Sequence, residues 1–444
     1  MRGWIAFSIA LGAAGHVSAD PVKKVDLPTL LAHARRSPSP TAALAAARSA
    51  HAKADEVSLT WVPQIELTVV GGPSPRINCH PSTELCVTTD PSEAGTSFSG
   101  LFFHIDAKAA MPIYTFGKLS AGTDAAEAGA RAADALASAA GNDAALDAAR
   151  AYYAVKLARE LHLMLDEGKG NVDDALGRVE KQLDQGKGDA TEGDRYRLRS
   201  VRAEIEARTS ETRKLEGTGL AGVQLFFGAD AVDVDDKPLE EVAYELGTRD
   251  EVRSQAGRSR PERQAAAAGA EAADRLADVE LRKWWPDLIA VSEVTIARAG
   301  GADDPASAYA NDPYNVTSFS AGLALRWMFD PGVRPAKVRA ARADAARAHA
   351  TSDLAAAGLP AEAEKAWVEA RDAKDRLKAS RQGEKDARAW LVSTLQATQA
   401  GLAEPKDIPD ALLAWFNMRA RVLQAIFDWD VGVLTLARAT GQLK

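Results

Sequence analysis

Cysteine is almost absent from this chain: Cys79 and Cys86 are the only two among 444 residues. Two cannot build a disulfide scaffold, and a structural zinc site would need histidines beside them. Histidine is scarce as well, with seven in all, and His33, His51, His104, His162 and His349 are isolated in the sequence and read as solvated or packed side chains. Basic excess is missing. Lys+Arg 54 against Asp+Glu 62 gives a formal charge of -8, unlike the footprint of a nucleic-acid binder, so no nucleic-acid partner is expected. Beyond the N-terminus no long uncharged apolar run occurs, which leaves a β-barrel as the only route across a membrane. There is no Gly-rich phosphate loop, no HExxH, no GxSxG and no serine or cysteine triad pattern. No catalytic residue, metal or cofactor is therefore expected, and the chain does not read as an enzyme. What the sequence does have is apolar mass, 46% against 26% charged, enough for a core and against global disorder.

The first residues, MRGWIAFSIALGAAGHVSA, set a compartment. Arg2 forms a short positive region, Trp4 to Ala14 an apolar one, and Val17-Ser18-Ala19 a small-residue cleavage site, so residues 1–19 read as a signal peptide. A buried N-terminal helix is the alternative. Export fits the cysteine pair, which encloses the six residues HPSTEL. A local disulfide between Cys79 and Cys86, a metal site using His80, and two free thiols are the three readings.

The same layout occurs twice. Thr96-Ser97-Phe98-Ser99 recurs as Thr317-Ser318-Phe319-Ser320, Trp61-Val62-Pro63 has a partner in Trp284-Trp285-Pro286, and Phe226-Phe227-Gly228 stands where Ala439-Thr440-Gly441 closes the second half. Offsets of 221, 223 and 213 residues in a common order indicate a duplication. Each half opens with an Ala-rich helical stretch, Pro40 to Leu59 and Pro261 to Lys283, started by a proline. A strand follows. In Gln64 to Val69, Ile65, Leu67 and Val69 share one face; Asp287 to Ile296 alternates less cleanly but is rich in β-branched residues. Polar loops, Gly71 to Gly95 and Ala299 to Asn315, lead to returning strands at Phe98 to Met111 and Val316 to Phe329. These strands approach the ~10 residues that a tilted membrane strand needs.

Long helices come next. Lys118 to Gln185 carries no proline and would extend ~100 Å as one helix. Pro335 to Ala400 repeats it, with Pro360 expected to kink or divide the segment. Turns at Gly186 to Asp189 and Gly401 to Pro409 lead to returning helices, about Asp194 to Leu220 and Asp410 to Ala437. In the last helix, Leu412, Leu413, Phe416, Leu423, Ile426, Phe427, Val431 and Leu434 form the expected seam. The predicted organisation is a first repeat over 20–228, with a β-hairpin at about 64–111 and a helical hairpin at about 118–220. A linker follows at 229–259. The second repeat spans 260–441, with a β-hairpin at about 287–329 and a helical hairpin at about 335–437.

Four strands alone would leave two unpaired edges in hydrocarbon, which nothing there can satisfy. Several chains must share one barrel, and Ala-rich helical hairpins need copies to pack against. The tandem halves, the segment RPERQAAAAGAEAADRLADVELRKWWPDL from Arg260 and the segment FNMRARVLQAIFDWDVGVLTLARATG from Phe416 resemble the TolC family of outer-membrane efflux proteins. The resemblance spans about Val25 to Gly441. It implies a mostly α fold with β: a homotrimer sharing a 12-stranded outer-membrane β-barrel above a periplasmic coiled-coil α-barrel, with a mixed equatorial region that Lys214 to Ser259 resembles. It further implies an exit duct for efflux or type I secretion, seated in outer-membrane lipid and working with a periplasmic adaptor and an inner-membrane transporter.

If the helical hairpins end at a periplasmic tip, the first turn carries Asp189, Glu192 and Asp194 and the second Glu404, Asp407 and Asp410. Threefold symmetry turns each into a ring that attracts cations; solvent-exposed acids at helix starts are the plainer reading. Arg195, Arg197 and Arg199 stand ready to pair with them and hold the tip shut. Trp61, Trp284, Trp285 and Trp327 lie at strand ends, either as interfacial anchors or as packing at the barrel-to-helix junction. A periplasmic coiled-coil scaffold and an exported hydrolase are the alternatives from other classes.

Overall fold

A computed structural model describes residues 22–76, 98–186, 190–228, 232–302, 314–400, 402 and 408–443. Residues 1–19, read from the sequence as a signal peptide, and Cys79 and Cys86 lie outside the described residues. The elements run β1 (Lys23–Val25), α1 (Leu27–Ala34), α2 (Pro38–Ser58), β2 (Gln64–Pro75), β3 (Phe98–Tyr114), α3 (Lys118–Gln185), α4 (Glu192–Phe227), β4 (Val232–Val234), α5 (Arg249–Ser259), α6 (Pro261–Arg282), β5 (Asp287–Ala299), β6 (Val316–Arg326), α7 (Arg334–Gln399) and α8 (Ile408–Ala439). The chain divides into two compact units that cut across the sequence repeats. One takes 43–137 and 261–358; the other takes the residues up to 42, 138–260 and 359–444.

The first of these units holds an antiparallel sheet of order β2-β3-β5-β6. Each hairpin closes on itself, and the central pair β3–β5 joins the two repeats, with Ile105 opposite Ile296 and Ala107 opposite Val294. In the same unit, α2 and α3 are tied by His51 Nε2 and Asp134 Oδ2 at 2.8 Å, and α6 and α7 by Asp274 Oδ2 and His349 Nε2 at 2.8 Å. The 223-residue offset between the repeats carries His51 onto Asp274, so the same helix-to-helix tie recurs with acid and base exchanged. These histidines, read from sequence as isolated, each have a carboxylate partner. The spacing could not show it, because the partners lie on other helices.

The second unit is a helical packing around Ala148, Val155, Leu157, Val223, Leu377, Ile426 and Trp429, with Val25, Val232 and Val234 of the short parallel pair β1–β4 buried in the same core. Small residues set the helix spacing. A Cβ added at Gly219 of α4 would lie 2.8 Å from Val155 Cγ2 and 3.2 Å from the Ala151 carbonyl oxygen on α3, whereas one at Gly217 would meet nothing. Gly219→Ala is therefore expected to destabilise by about 1–3 kcal/mol through overpacking. Gly217→Ala should raise stability by up to about 1 kcal/mol through helix propensity. Opposite shifts in thermal unfolding would bear this out; equal shifts would remove the close approach from the account.

Several sequence expectations need correction. The first Ala-rich helix begins at Pro38 rather than Pro40, and α4 continues to Phe227, where Gly228 takes a left-handed φ of 80° as its C-cap. Pro360 neither ends nor divides α7, which runs unbroken from Arg334 to Gln399. The lost hydrogen bond and ring clash, about 3 kcal/mol in a helix interior, are offset by packing one turn on, where Ala363 and Ala366 are buried against Val252, Ala256, Leu436 and Ala439. The α8 seam is also displaced. Leu423 and Ile426 are buried as expected, but Trp415, Val422, Trp429, Val433 and Leu436 complete it, while Leu412, Leu413, Phe416, Phe427, Val431 and Leu434 are only half-buried. The helix is apolar over more than one stripe, so spacing alone did not select the packed one.

The two most distinctive sequence pieces meet in this unit. Arg260 opens the Arg-Pro-Glu segment and is 1% exposed; its guanidinium donates to Glu362 Oε2 at 3.1 Å and to the Ala439 carbonyl, at the end of α8, at 3.4 Å. Gly441 closes Ala-Thr-Gly at φ 73°, with Ser259 backbone where a Cβ would stand. Each motif is therefore the other's packing surface.

Candidate functional site

Three places hold the residues singled out from the sequence: the sheet, the aromatic cluster at one of its ends and the helical turns. In the sheet, residues paired across antiparallel strands share a face. One face carries Ile65, Leu67 and Val69 of β2, Ile105 and Ala107 of β3, Val294 and Ile296 of β5, and Phe319 and Leu323 of β6. Its edge side chains stand open, Ile65 75% and Phe319 73% exposed. The opposite face carries Glu66, Lys108, Glu293 and Ser320 in one row and Thr68, Asp106, Thr295 and Ser318 in the next. Lys108 pairs with Glu293 at 3.3 Å, Thr295 donates to Asp106 at 2.7 Å, and His104 Nε2 lies 2.5 Å from Asp106. Sequence reading found the alternation in β2 but missed these charged rows, since only the register brings four separate strands level.

At one end of the sheet the expected tryptophans gather. Trp284 and Trp285 occupy the turn into β5, and Trp327 directly follows β6. Trp327 Nε1 donates to the Trp284 carbonyl at 3.1 Å, Trp285 stacks on Phe116 at 5.7 Å, and Phe329 lies 5.2 Å from Trp327. Trp61 sits in the 3-10 turn before β2, at the same end. Trp61, Trp285 and Trp327 remain more than half exposed.

The turns are partly described. Asp189, Glu404 and Asp407 lie outside the described residues. Asp194 is not a free acid: it forms a capping box with Thr191, accepting from the Thr191 N–H at 2.9 Å while its own N–H donates to Thr191 Oγ1 at 3.2 Å. That satisfies orphan donors at the start of α4. Glu192 pairs with Arg195 at 2.5 Å. Asp410, in the first turn of α8, pairs with Arg197 and so ties α8 to α4. Arg199 instead reaches back to Glu180 of α3 at 2.8 Å. Sequence reading anticipated arginine partners but not Glu180, which lies on the preceding helix. These pairs are about half exposed, a setting in which an ion pair contributes only about 0–1 kcal/mol.

Among the described residues no helix is long and apolar enough to cross a membrane, and no group of three or more His, Cys, Asp and Glu side chains could hold a metal ion.

A family model described as outer membrane efflux protein matches residues 32–214 and 252–442. A search of curated proteins gives no match. Among solved structures, the outer-membrane channel OprN is similar at TM-score 0.75 and 18% identity, over 94% of this chain and 89% of that one. The CmeC outer membrane channel of Campylobacter jejuni gives 0.76 at 14% identity, over 94% and 86%. The outer membrane protein VceC of Vibrio cholerae gives 0.75 at 17%, over 94% and 96%. At these identities the structures establish the fold, a TolC-like one with the repeat duplicated. The family match over both repeats establishes the rest. TolC-like outer-membrane factors are trimeric channels that work with an adaptor and an inner-membrane pump, and they are not enzymes. The chain belongs to the outer membrane efflux protein family, and it is an outer-membrane exit duct for tripartite efflux.

Proposed function

We propose that three copies of this chain close their sheets into one twelve-stranded barrel, with the apolar face on lipid and the rows of Glu66, Lys108, Glu293 and Asp106 lining the passage. The two-faced sheet carries this reading. Its edges, β2 and β6, run in opposite directions in the order β2-β3-β5-β6, so β6 of one copy and β2 of the next would pair antiparallel and leave no edge in hydrocarbon. The exposed tryptophans would lie at the inner membrane–water boundary as anchors. A coiled-coil scaffold would have no use for an exposed apolar sheet face.

The turns before α4 and α8 form the periplasmic entrance in this reading. Asp189, Glu192, Glu404, Asp407 and Asp410 would make threefold acidic rings, with Asp194 as the cap that holds the α4 turn. Arg195 and Arg197 restrain the entrance through Glu192 and Asp410. The adaptor would dock its helical hairpin in grooves between the tip helices, and the pump would supply the energy. A signal peptide at residues 1–19 would be removed on export, and an oxidising compartment would then favour a local disulfide between Cys79 and Cys86.

Two measurements test this. The native mass of the protein extracted from outer membranes in mild detergent should be near three times that of one chain; a soluble monomer would sink the shared barrel. In planar bilayers, neutralising Asp407 and Asp410 together should lower cation selectivity and raise the open fraction. Unchanged conductance and selectivity would remove the acidic entrance and leave the barrel standing.

A further inference from the structure

Between β4 and α5 the chain runs as an extended strap, residues 235–248, fastened to the helices of its own unit. Val242 is held at both of its backbone polar groups. Its N–H donates to Asp430 Oδ1 at 2.8 Å, and its carbonyl accepts from Trp429 Nε1 at 2.9 Å. Beside it, Glu241 accepts from Lys374 and, at 2.6 Å, from Arg381, both on α7. Lys374 lies 4.3 Å above the Trp429 ring. Further along, Trp367 Nε1 donates to the Gly247 carbonyl at 2.8 Å.

Asp430 is the anomaly in this fastening. It is 0% exposed, in the middle of the packed stripe of α8, and its Oδ2 is buried without a hydrogen-bond partner among the described residues. An ionised carboxylate there would hold one oxygen in an apolar setting, whereas a neutral carboxyl satisfies the Val242 N–H without carrying charge. The groups facing it do not neutralise it. From the strap comes Glu241, a like charge; from α7 comes Lys374, already engaged by Glu241; from α3 comes the Tyr153 phenol. On α8 itself, Asp428 is taken by Arg376 at 2.9 Å.

We propose that the Asp430 carboxyl is a proton-controlled fastener: neutral, it clips the strap at Val242 onto α8, and its ionisation releases the strap. Burial, reinforced by the Glu241 charge, pushes this carboxyl up to about 7, against the opposing effects of the Val242 N–H and Lys374. With the strap open and Asp430 solvated, the group returns toward its ordinary value of 3.8. The fastened state therefore binds the proton more tightly, and its advantage is full below that ordinary value and lost as pH rises to about 7. Glu241 behaves differently. Burial opposes its charge, but Lys374 and Arg381 hold it below the usual carboxylate range, so it stays ionised across this window. Because α8 is one helix from Ile408 to Ala439, the strap and the Arg197–Asp410 tie act on the same rod.

Hydrogen exchange of the full-length protein in detergent tests the fastener, read as protection factors so that the intrinsic pH dependence cancels. Protection across 238–248 should fall at least tenfold from pH 5 to pH 7 and level off above pH 8. Asp430→Asn should abolish that fall, and Glu241→Gln, which removes a like charge and frees Lys374, should move its midpoint to lower pH. Protection independent of pH in the natural protein overturns the proposal, as does the same fall in Asp430→Asn. If Asp430→Asn does not fold, infrared titration of the natural protein decides. Loss of a protonated-carboxyl band between pH 5 and pH 8 is expected, and its absence overturns the assignment.

Discussion

Arg260→Ala is expected to lower the stability of the folded chain by about 3 kcal/mol. A hydrogen bond to a charged group contributes about 1.5–3 kcal/mol, and removing a buried side chain adds a cavity. Arg260 supplies both, since it is 1% exposed and holds the Ala439 carbonyl as well as Glu362. The loss is less than a fully broken buried pair would give, because Glu362 is half exposed and keeps Arg438 at 2.5 Å. Arg260→Met, which keeps most of the stem volume, should recover part of the deficit. Thermal unfolding of the detergent-solubilised protein measures both variants. A melting temperature unmoved by Arg260→Ala would mean that the meeting of the Arg-Pro-Glu and Ala-Thr-Gly segments contributes nothing to stability.

Val294→Arg should prevent assembly in the outer membrane. Val294 sits near the centre of the apolar face, opposite Ala107 on one side and Phe319 on the other. A lipid-facing arginine near the bilayer midplane costs about 2–4 kcal/mol, and in a trimer that cost falls three times on one barrel. Ser320→Arg is the matched control, since Ser320 lies opposite Glu293 on the polar face, where a cation finds acids. The expected result is loss of Val294→Arg from the outer-membrane fraction with Ser320→Arg retained. Equal retention would reverse the assignment of faces or remove the barrel.

The parts of the fold with a strong period were legible in the sequence. Ile65, Leu67 and Val69 alternate because a strand exposes alternate side chains to two different media, and α3 shows itself by 68 residues without a proline. What lacked a period was hidden. The strap is held through the backbone of Val242, and a backbone bond leaves no signature in residue type. The β3–β5 pairing joins segments from opposite halves, and nothing local encodes it. In α8 a signal was present and passed over. Asp430 interrupts an apolar stripe, and a charge at such a position commonly marks burial with a purpose. At the turns, the acids were visible but not their duties: Asp194 caps a helix and Asp410 binds Arg197, a division that only the geometry separates.

The exchanged ties His51–Asp134 and Asp274–His349 bear on symmetry. A duplicated chain assembled three times offers six near-equivalent helix pairs around its axis. If both repeats presented acid and base in the same order, those six would be chemically alike. The exchange makes the two pairs of one chain differ in sense, so in a trimer they would alternate and leave only a threefold axis.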